Sequence, residues 1–375
     1  MDRRLLTLDE ATCRRRTSLK WRQYPEDVLP LWIAEMDVMP APGVAEELAR
    51  IARDGDTGYP VNGPYLEALA DFYVEHGADV TVERMRPAAD VMSGMRAAVG
   101  AMTEPGDPVY VTVPVYPPFH AIVCELGRRL VTVPLSPSGR LDAAALDEAF
   151  GSEGRGALLL ASPHNPTGVV HTADELRAVA EVADRHGVSV ACDEVHAPLV
   201  LPGASFTPAL AVAEAQGWLS VISAAKGWNL AGVKAAGIAG GTAAGDLLAA
   251  LPAGLGYTTS HLAVRLHRVA LEQDRPWLAD LVADLDANRS LLADLLREHL
   301  PLVRWQPVEA TYLAWLDCRE LGLGDDPAQH FERHARVALS SGLPFGAGEG
   351  WARLNLAASP QIITAAVERM AASLP

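Results

Sequence analysis

Apolar positions recur at helical spacing early in the chain. Val44, Leu48 and Ile51 predict a helix over 44–53, and a second helix is predicted over 64–76. From about residue 90 the pattern changes to short apolar runs alternating with helical stretches. Residues 109–113, 130–135, 157–161, 188–192 and 219–222 predict strands. Thr172 and Glu175 stand at capping-box spacing ahead of Leu176, Val179 and Val182, which predicts a helix over 172–186. Strands separated by helices imply a mostly parallel sheet. Beyond about residue 260 the helical period takes over. Leu278, Leu281, Leu285, Leu292 and Leu296 mark one long amphipathic helix with Pro276 near its start. Two strands, 310–316 and 351–356, and a helix from about 360 close the chain. The expected fold class is α/β. A large domain over 45–275 holds a mostly parallel mixed sheet between helices, and 1–44 joins 276–375 in a smaller α+β domain.

Composition narrows the partners. Apolar residues make up 49% of the 375 and charged residues 21%, in keeping with a sizeable globular core. The net charge of −16 repels phosphate backbones and anionic lipid, so neither nucleic acid nor a membrane surface is an expected partner. No apolar run approaches the ~20 residues that span a bilayer. Cys13, Cys124, Cys192 and Cys318 lack paired spacing, which argues against a disulfide framework or a metal cluster and fits a reducing, cytoplasmic setting. Arg14-Arg15-Arg16 has a faint look of a twin-arginine signal, but a polar stretch follows it, so it reads as mature protein.

Lysine is the informative residue. Only Lys20, Lys226 and Lys234 stand among 31 basic residues; all the others are arginine. A guanidinium carries charge but forms no imine, whereas a deprotonated amine does. Base composition alone also explains such a bias. Position adds weight to chemistry, because three polar residues fall just past three predicted strands. Asn165 follows 157–161, Asp193 ends 188–192, and Lys226 follows 219–222. Ligands of open α/β sheets bind beyond the carboxyl ends of strands. An amine, a carboxylate and an amide converging there suit pyridoxal phosphate: the amine takes its aldehyde, the carboxylate keeps its ring nitrogen protonated, and the amide donates to its phenolate oxygen. Ser223 and Lys234 flank the amine and suit the phosphate. Gly94-Met95-Arg96, read as opening a helix near 95, offers backbone N–H groups to the same anion.

Each signal has a plainer reading. Asn165-Pro-Thr-Gly168 is an ordinary turn. Asp193-Glu-Val-His196 also looks like the metal-binding strand of helicases, but no phosphate-binding Gly-Lys-Ser/Thr loop accompanies it. Ser223-x-x-Lys226 is the acylating pattern of penicillin-binding proteins, without its companion motifs. His196 suits a buried core histidine equally well, and Gly346–Gly350 a flexible turn.

Taken in order, these motifs resemble the fold-type I pyridoxal-phosphate enzymes, the aminotransferase class I/II family, and within them the cystathionine β-lyase-like carbon–sulfur lyases of the MalY/PatB type. The resemblance runs through Arg16–Trp21, Leu31-Trp-Ile-Ala-Glu-Met-Asp37, Gly58-Tyr59, Pro114–Phe119, His164–Gly168, Asp193–His196, Ser223–Lys226, Thr311–Asp317 and Arg353-Leu-Asn355. The N-terminal pair and His196 point to the lyase branch. The resemblance implies that Lys226 bears the cofactor and moves the substrate α-proton. Asp193 pairs with the ring nitrogen, Asn165 with the phenolate oxygen, and Tyr116 stacks on the ring beside His196. Ser223, Lys234 and the amides of Gly94, Met95 and Arg96 hold the phosphate. Arg353, with Ala34 and Asn165, receives the substrate carboxylate. Tyr59 reaches the neighbouring subunit's phosphate, which implies a homodimer with composite sites. Met95-Arg96 and Ala224-Ala225 depart from the family's usual residues.

The implied reaction is α,β-elimination from cystathionine or another cysteine S-conjugate, giving a thiol, pyruvate and ammonia. The rivals are an aminotransferase using the same residues and a cofactor-binding regulatory protein with vestigial activity. No metal is expected.

Overall fold

The computed structural model describes residues 4–375; residues 1–3, at the start of the expected small-domain segment, lie outside the described residues. Seven strands form the main sheet, in the order Met85–Ala88, Ala236–Gly240, Leu219–Ile222, Ser189–Asp193, Ala157–Ala161, Pro108–Val113, Arg129–Pro134. Five neighbouring strands, from Leu219–Ile222 to Arg129–Pro134, run parallel, and Ala236–Gly240 runs antiparallel to both its neighbours. The central strands are buried along their whole length, which explains their continuous apolar runs. Register aligns Ala161 with Asp193 and Asp193 with Val221. Three strand ends therefore open on one crevice.

The helix predicted over 172–186 spans Ala173–His186. Thr172 Oγ1 accepts from Glu175 N at 3.2 Å, and the Glu175 carboxylate accepts from Thr172 N at 2.7 Å. The long helix is Arg275–His299, with Pro276 in its first turn. Its buried Asn288 donates to the carbonyls of Leu356 and Ala358, both at 2.9 Å, and so braces the chain just beyond Arg353.

A second, antiparallel sheet runs Ser340–Ser341, Trp351–Asn355, Leu313–Asp317, Arg304–Trp305. The N-terminal Leu29–Pro30 pairs in parallel with Val337–Ala338, which ties the start of the chain to its end. One large apolar cluster joins Leu31, Met36, Leu285, Leu313 and Leu354 to the sheet's Leu158 and Val190. A second fills the other sheet face around Met95, Val111, Leu159 and Val221.

Candidate active site

The segment 31–37 is the scaffold of the site. Asn355 Nδ2 donates to the carbonyls of Ile33 and Glu35, both at 2.7 Å. Asn229, held at φ 55°, accepts from Met36 N at 2.8 Å and donates to Met36 O at 3.0 Å. Below it, buried Asp37 accepts from Lys20 Nζ at 2.8 Å and from Trp21 Nε1 at 2.7 Å. The strand of Arg353 and the loop of Lys226 thus grip the same seven-residue stretch.

Its product is one shared acceptor, the carbonyl of Ala34. Lys226 Nζ donates to it at 3.0 Å and the Tyr312 hydroxyl at 3.1 Å. Burial draws the Lys226 amine down from 10.5 to about 8; the Arg353 charge adds to this, and Asp193 and Glu35 oppose it. A base with that pKa is neutral in useful amounts near physiological pH. Burial pushes Asp193 up to about 6, against the hydrogen bond from Val195 N at 3.0 Å and the charge of Lys226. A buried carboxylate with no close cation is costly on its own and awaits a partner.

Both residues face a cavity of about 190 Å³, lined also by Ala34, Asp90, Val91, Met92, Tyr116, Asn165, His196, Ser223 and Lys234. Asn165 is positioned by its turn. Gly168 closes that turn at φ 72°, and a Cβ there would lie 2.4 Å from Val308, so glycine is required. Asn165 Oδ1 accepts from Arg353 at 2.8 Å, which turns its NH2 group away from the arginine. Arg353 also donates to Trp32 O at 3.3 Å and Ser340 Oγ at 3.2 Å, and rests over the Phe345 ring. Its Nε is buried and has no partner among the described residues, and burial lowers its pKa to about 10. A guanidinium with an unused donor beside an amide is prepared for a carboxylate. His196 packs edge-on to Tyr312, its Nδ1 unpartnered, and burial holds it well below the usual histidine range, so it is neutral. The Ser223 hydroxyl donates to Ala235 O at 2.6 Å.

Two expectations need different treatment. The helix read as opening near 95 spans Val91–Met102, with Asp90 as its cap. Gly94 N is already committed to Asp90 O at 3.0 Å. Met95 is buried in the core, and Arg96 pairs with Glu125 at 2.5 Å on the outer side. Gly94, Met95 and Arg96 therefore lie one turn too deep to form an anion cup. The lining residues with free first-turn amides are Val91 and Met92. Tyr59 is 90% exposed and does not line this chain's own cavity.

Sequence reasoning missed Asp90, Tyr312, Asn229 and Ser340. Asp90 is followed three residues on by Ser93, a capping signal visible in the sequence. Tyr312 and Asn355 lay inside motifs already singled out, without a role.

The donor set fits pyridoxal phosphate. A lone buried carboxylate suits a ring N–H, an amide and an amine stand at the same cavity, and two free amides beside Lys234 suit a phosphate.

The family model of aminotransferase class I and II matches residues 26–370. The chain belongs to that family. Among its relatives, a Mycobacterium tuberculosis protein with a provisional cystathionine β-lyase name is 48% identical, over 98% of this chain and 97% of its own. The cystathionine β-lyase of Corynebacterium glutamicum is 32% identical over 96% of this chain and 97% of its own. A solved structure from Corynebacterium diphtheriae, provisionally described as a pyridoxal-phosphate-dependent β-cystathionase, superposes with a TM-score of 0.93. It is 29% identical and covers 99% of both chains.

Proposed function

We propose that this protein is a pyridoxal-phosphate-dependent carbon–sulfur β-lyase that cleaves L-cystathionine or related cysteine S-conjugates to a thiol, pyruvate and ammonia. The observation that carries it is one cavity lined by a lysine of lowered pKa, a buried carboxylate and Asn165, whose Oδ1 accepts from Arg353. The choice of elimination rests on full-length likeness to the Corynebacterium glutamicum lyase.

Bound there, the cofactor supplies an aldehyde for amines and a protonated ring that withdraws electrons from the substrate Cα. Lys226 holds the cofactor until substrate arrives, then takes the proton from Cα. Its amine has a resting place on the Ala34 carbonyl, 3.0 Å away. Asp193 keeps a proton on the ring nitrogen. Arg353 grips the substrate carboxylate and Asn165 orients both partners. Neutral His196 and Tyr116 wall the ring without adding charge. Ser223, Lys234 and the amides of Val91 and Met92 hold the phosphate.

The partner of the reaction is a small amino acid. The proposal extends to a homodimer in which exposed Tyr59 serves the neighbouring chain's phosphate, and to domains dividing near residues 45 and 275. It also extends to a cytoplasmic location; among the described residues no helix is long and apolar enough to cross a membrane.

The test is incubation with L-cystathionine and S-alkyl cysteines, assaying pyruvate and free thiol. Pyruvate is expected without any added keto acid. Turnover that appears only when a keto acid is supplied would replace this reading with an aminotransferase. Mixing inactive Tyr59→Ala and Lys226→Ala proteins is expected to restore part of the activity, because hybrid dimers carry one intact site. No recovery despite proven subunit exchange would remove the shared site.

A further inference from the structure

The anion end of the cavity has two attractive features. One is the first turn of the helix Val91–Met102, twelve residues long, whose dipole favours negative charge. Its first three amides have no helical acceptor. Asp90 takes that of Ser93, and among the described residues nothing accepts from Val91 or Met92. The other feature is the Lys234 ammonium.

Asp90 already engages both. Its Oδ1 accepts the Ser93 N–H at 2.7 Å and also the Ser93 hydroxyl. Its Oδ2 accepts from Lys234 Nζ at 2.9 Å. The carboxylate lines the cavity itself. It therefore sits as an anion inside a site built for an anion. Burial works to raise its pKa, but the bonds from Ser93 and Lys234 outweigh burial and keep it low, so it is charged. The pair is half open to water, so its members are free to separate.

We propose that Asp90 is a built-in competitor for the cofactor phosphate. Its carboxylate holds Lys234 and offsets the helix end until the phosphate draws the ammonium away, and it thereby weakens the cup's grip on the cofactor. The inference rests on the pyridoxal-phosphate reading of this cavity. It differs from a plain capping role, because a cap needs only a side-chain oxygen, whereas a competitor needs the negative charge.

Asp90→Asn separates the two, since asparagine caps as well as aspartate. The readout is the cofactor dissociation constant of the holoenzyme, by equilibrium dialysis and absorbance. Asp90→Asn is expected to bind pyridoxal phosphate more tightly, by up to about fivefold, the scale of one screened charge pair. Most of that gain should vanish in a Lys234→Met background, because the freed ammonium is its source. Inorganic phosphate should also raise the melting temperature of the cofactor-free Asp90→Asn protein more than that of the wild type. Unchanged or weaker cofactor binding in Asp90→Asn overturns the proposal while leaving the cofactor reading intact. A wild-type protein that binds no pyridoxal phosphate removes the cofactor reading, and this proposal with it.

Discussion

Lys20 and Asp37 meet at 2.8 Å with neither side chain exposed, while Lys234 and Asp90 meet at 2.9 Å with 65% and 27% of their side chains in solvent. The chemistry and the spacing are nearly the same. The surroundings are not. Around the first pair stand Trp21 Nε1, the carbonyl of Glu35 and, at 3.8 Å from Asp37, Arg16, and burial keeps solvent away. Around the second, solvent screens the attraction and a cavity lies alongside. Distance alone would rank these pairs as equals. Burial makes one a permanent fastening of the segment that presents Ala34 and leaves the other exchangeable. The third lysine, Lys226, is intermediate: half-buried, with no ion-pair partner among the described residues, and donating to a carbonyl. A chain with three lysines has put all three around one site.

The largest effect expected from breaking this comparison is at Lys20. Lys20→Met takes the ammonium from the buried Asp37 carboxylate and leaves it the Trp21 Nε1 bond and Arg16 at 3.8 Å, a loss of about 3 kcal/mol. Chemical denaturation measures it directly. Replacing both partners, Lys20→Met with Asp37→Leu, should recover much of the loss, because the desolvation of two charges is then removed. A single variant as stable as the wild type would show that the buried pair holds nothing.

Next comes the amine between these extremes. In the cofactor-free protein Lys226 titrates near 8, drawn down from 10.5 chiefly by burial and then by Arg353. Its neutral, reactive form therefore dominates above about pH 8 rather than above the usual lysine range. Reductive methylation of cofactor-free protein, followed by peptide mass mapping, should show Lys226 labelling rise through that region. Three lysines make the map simple. Arg353→Met should move the midpoint upward, since a repelling charge is gone. A Lys226 midpoint above 10 would mean that the cavity is wetter than its burial implies.

The same contrast between dry and wet places explains what was legible in the sequence. Buried strands declare themselves by apolar runs, so 157–161 and 219–222 were read to the residue. The candidate positions Asn165, Asp193 and Lys226 follow because strand ends carry them. Two strands of the main sheet went unread, Met85–Ala88 and Ala236–Gly240. The first contains Pro87 and the second is alanine and glycine around a single Ile238, so neither has the run of β-branched residues that marks a strand. Gly237 faces Leu69 at 2.6 Å from a would-be Cβ, which is why small residues stand there. The helix start at Val91 was missed because glycine at 94 reads as a loop, while its true cap, Asp90, is a residue common at any surface. Tyr312 acts through one hydrogen bond and Asn229 through two, all to a distant backbone segment, and no local pattern announces such contacts.

The smallest effect is expected at the exposed pair, and it decides whether the comparison holds. Lys234→Met removes an ammonium that water already screens, and Asp90 keeps its bonds to Ser93. The cost to folding should be under about 1 kcal/mol, as for exposed ion pairs generally. It must be measured on cofactor-free protein, because any ligand that binds only the folded state adds its own stabilisation. In the holoenzyme the same change should instead appear as weaker cofactor retention, since a phosphate contact is lost. A Lys234→Met protein destabilised as much as Lys20→Met, without cofactor, would show that solvent exposure does not separate these two pairs. Loss of retention with an intact fold would assign Lys234 to the phosphate and Lys20 to the scaffold.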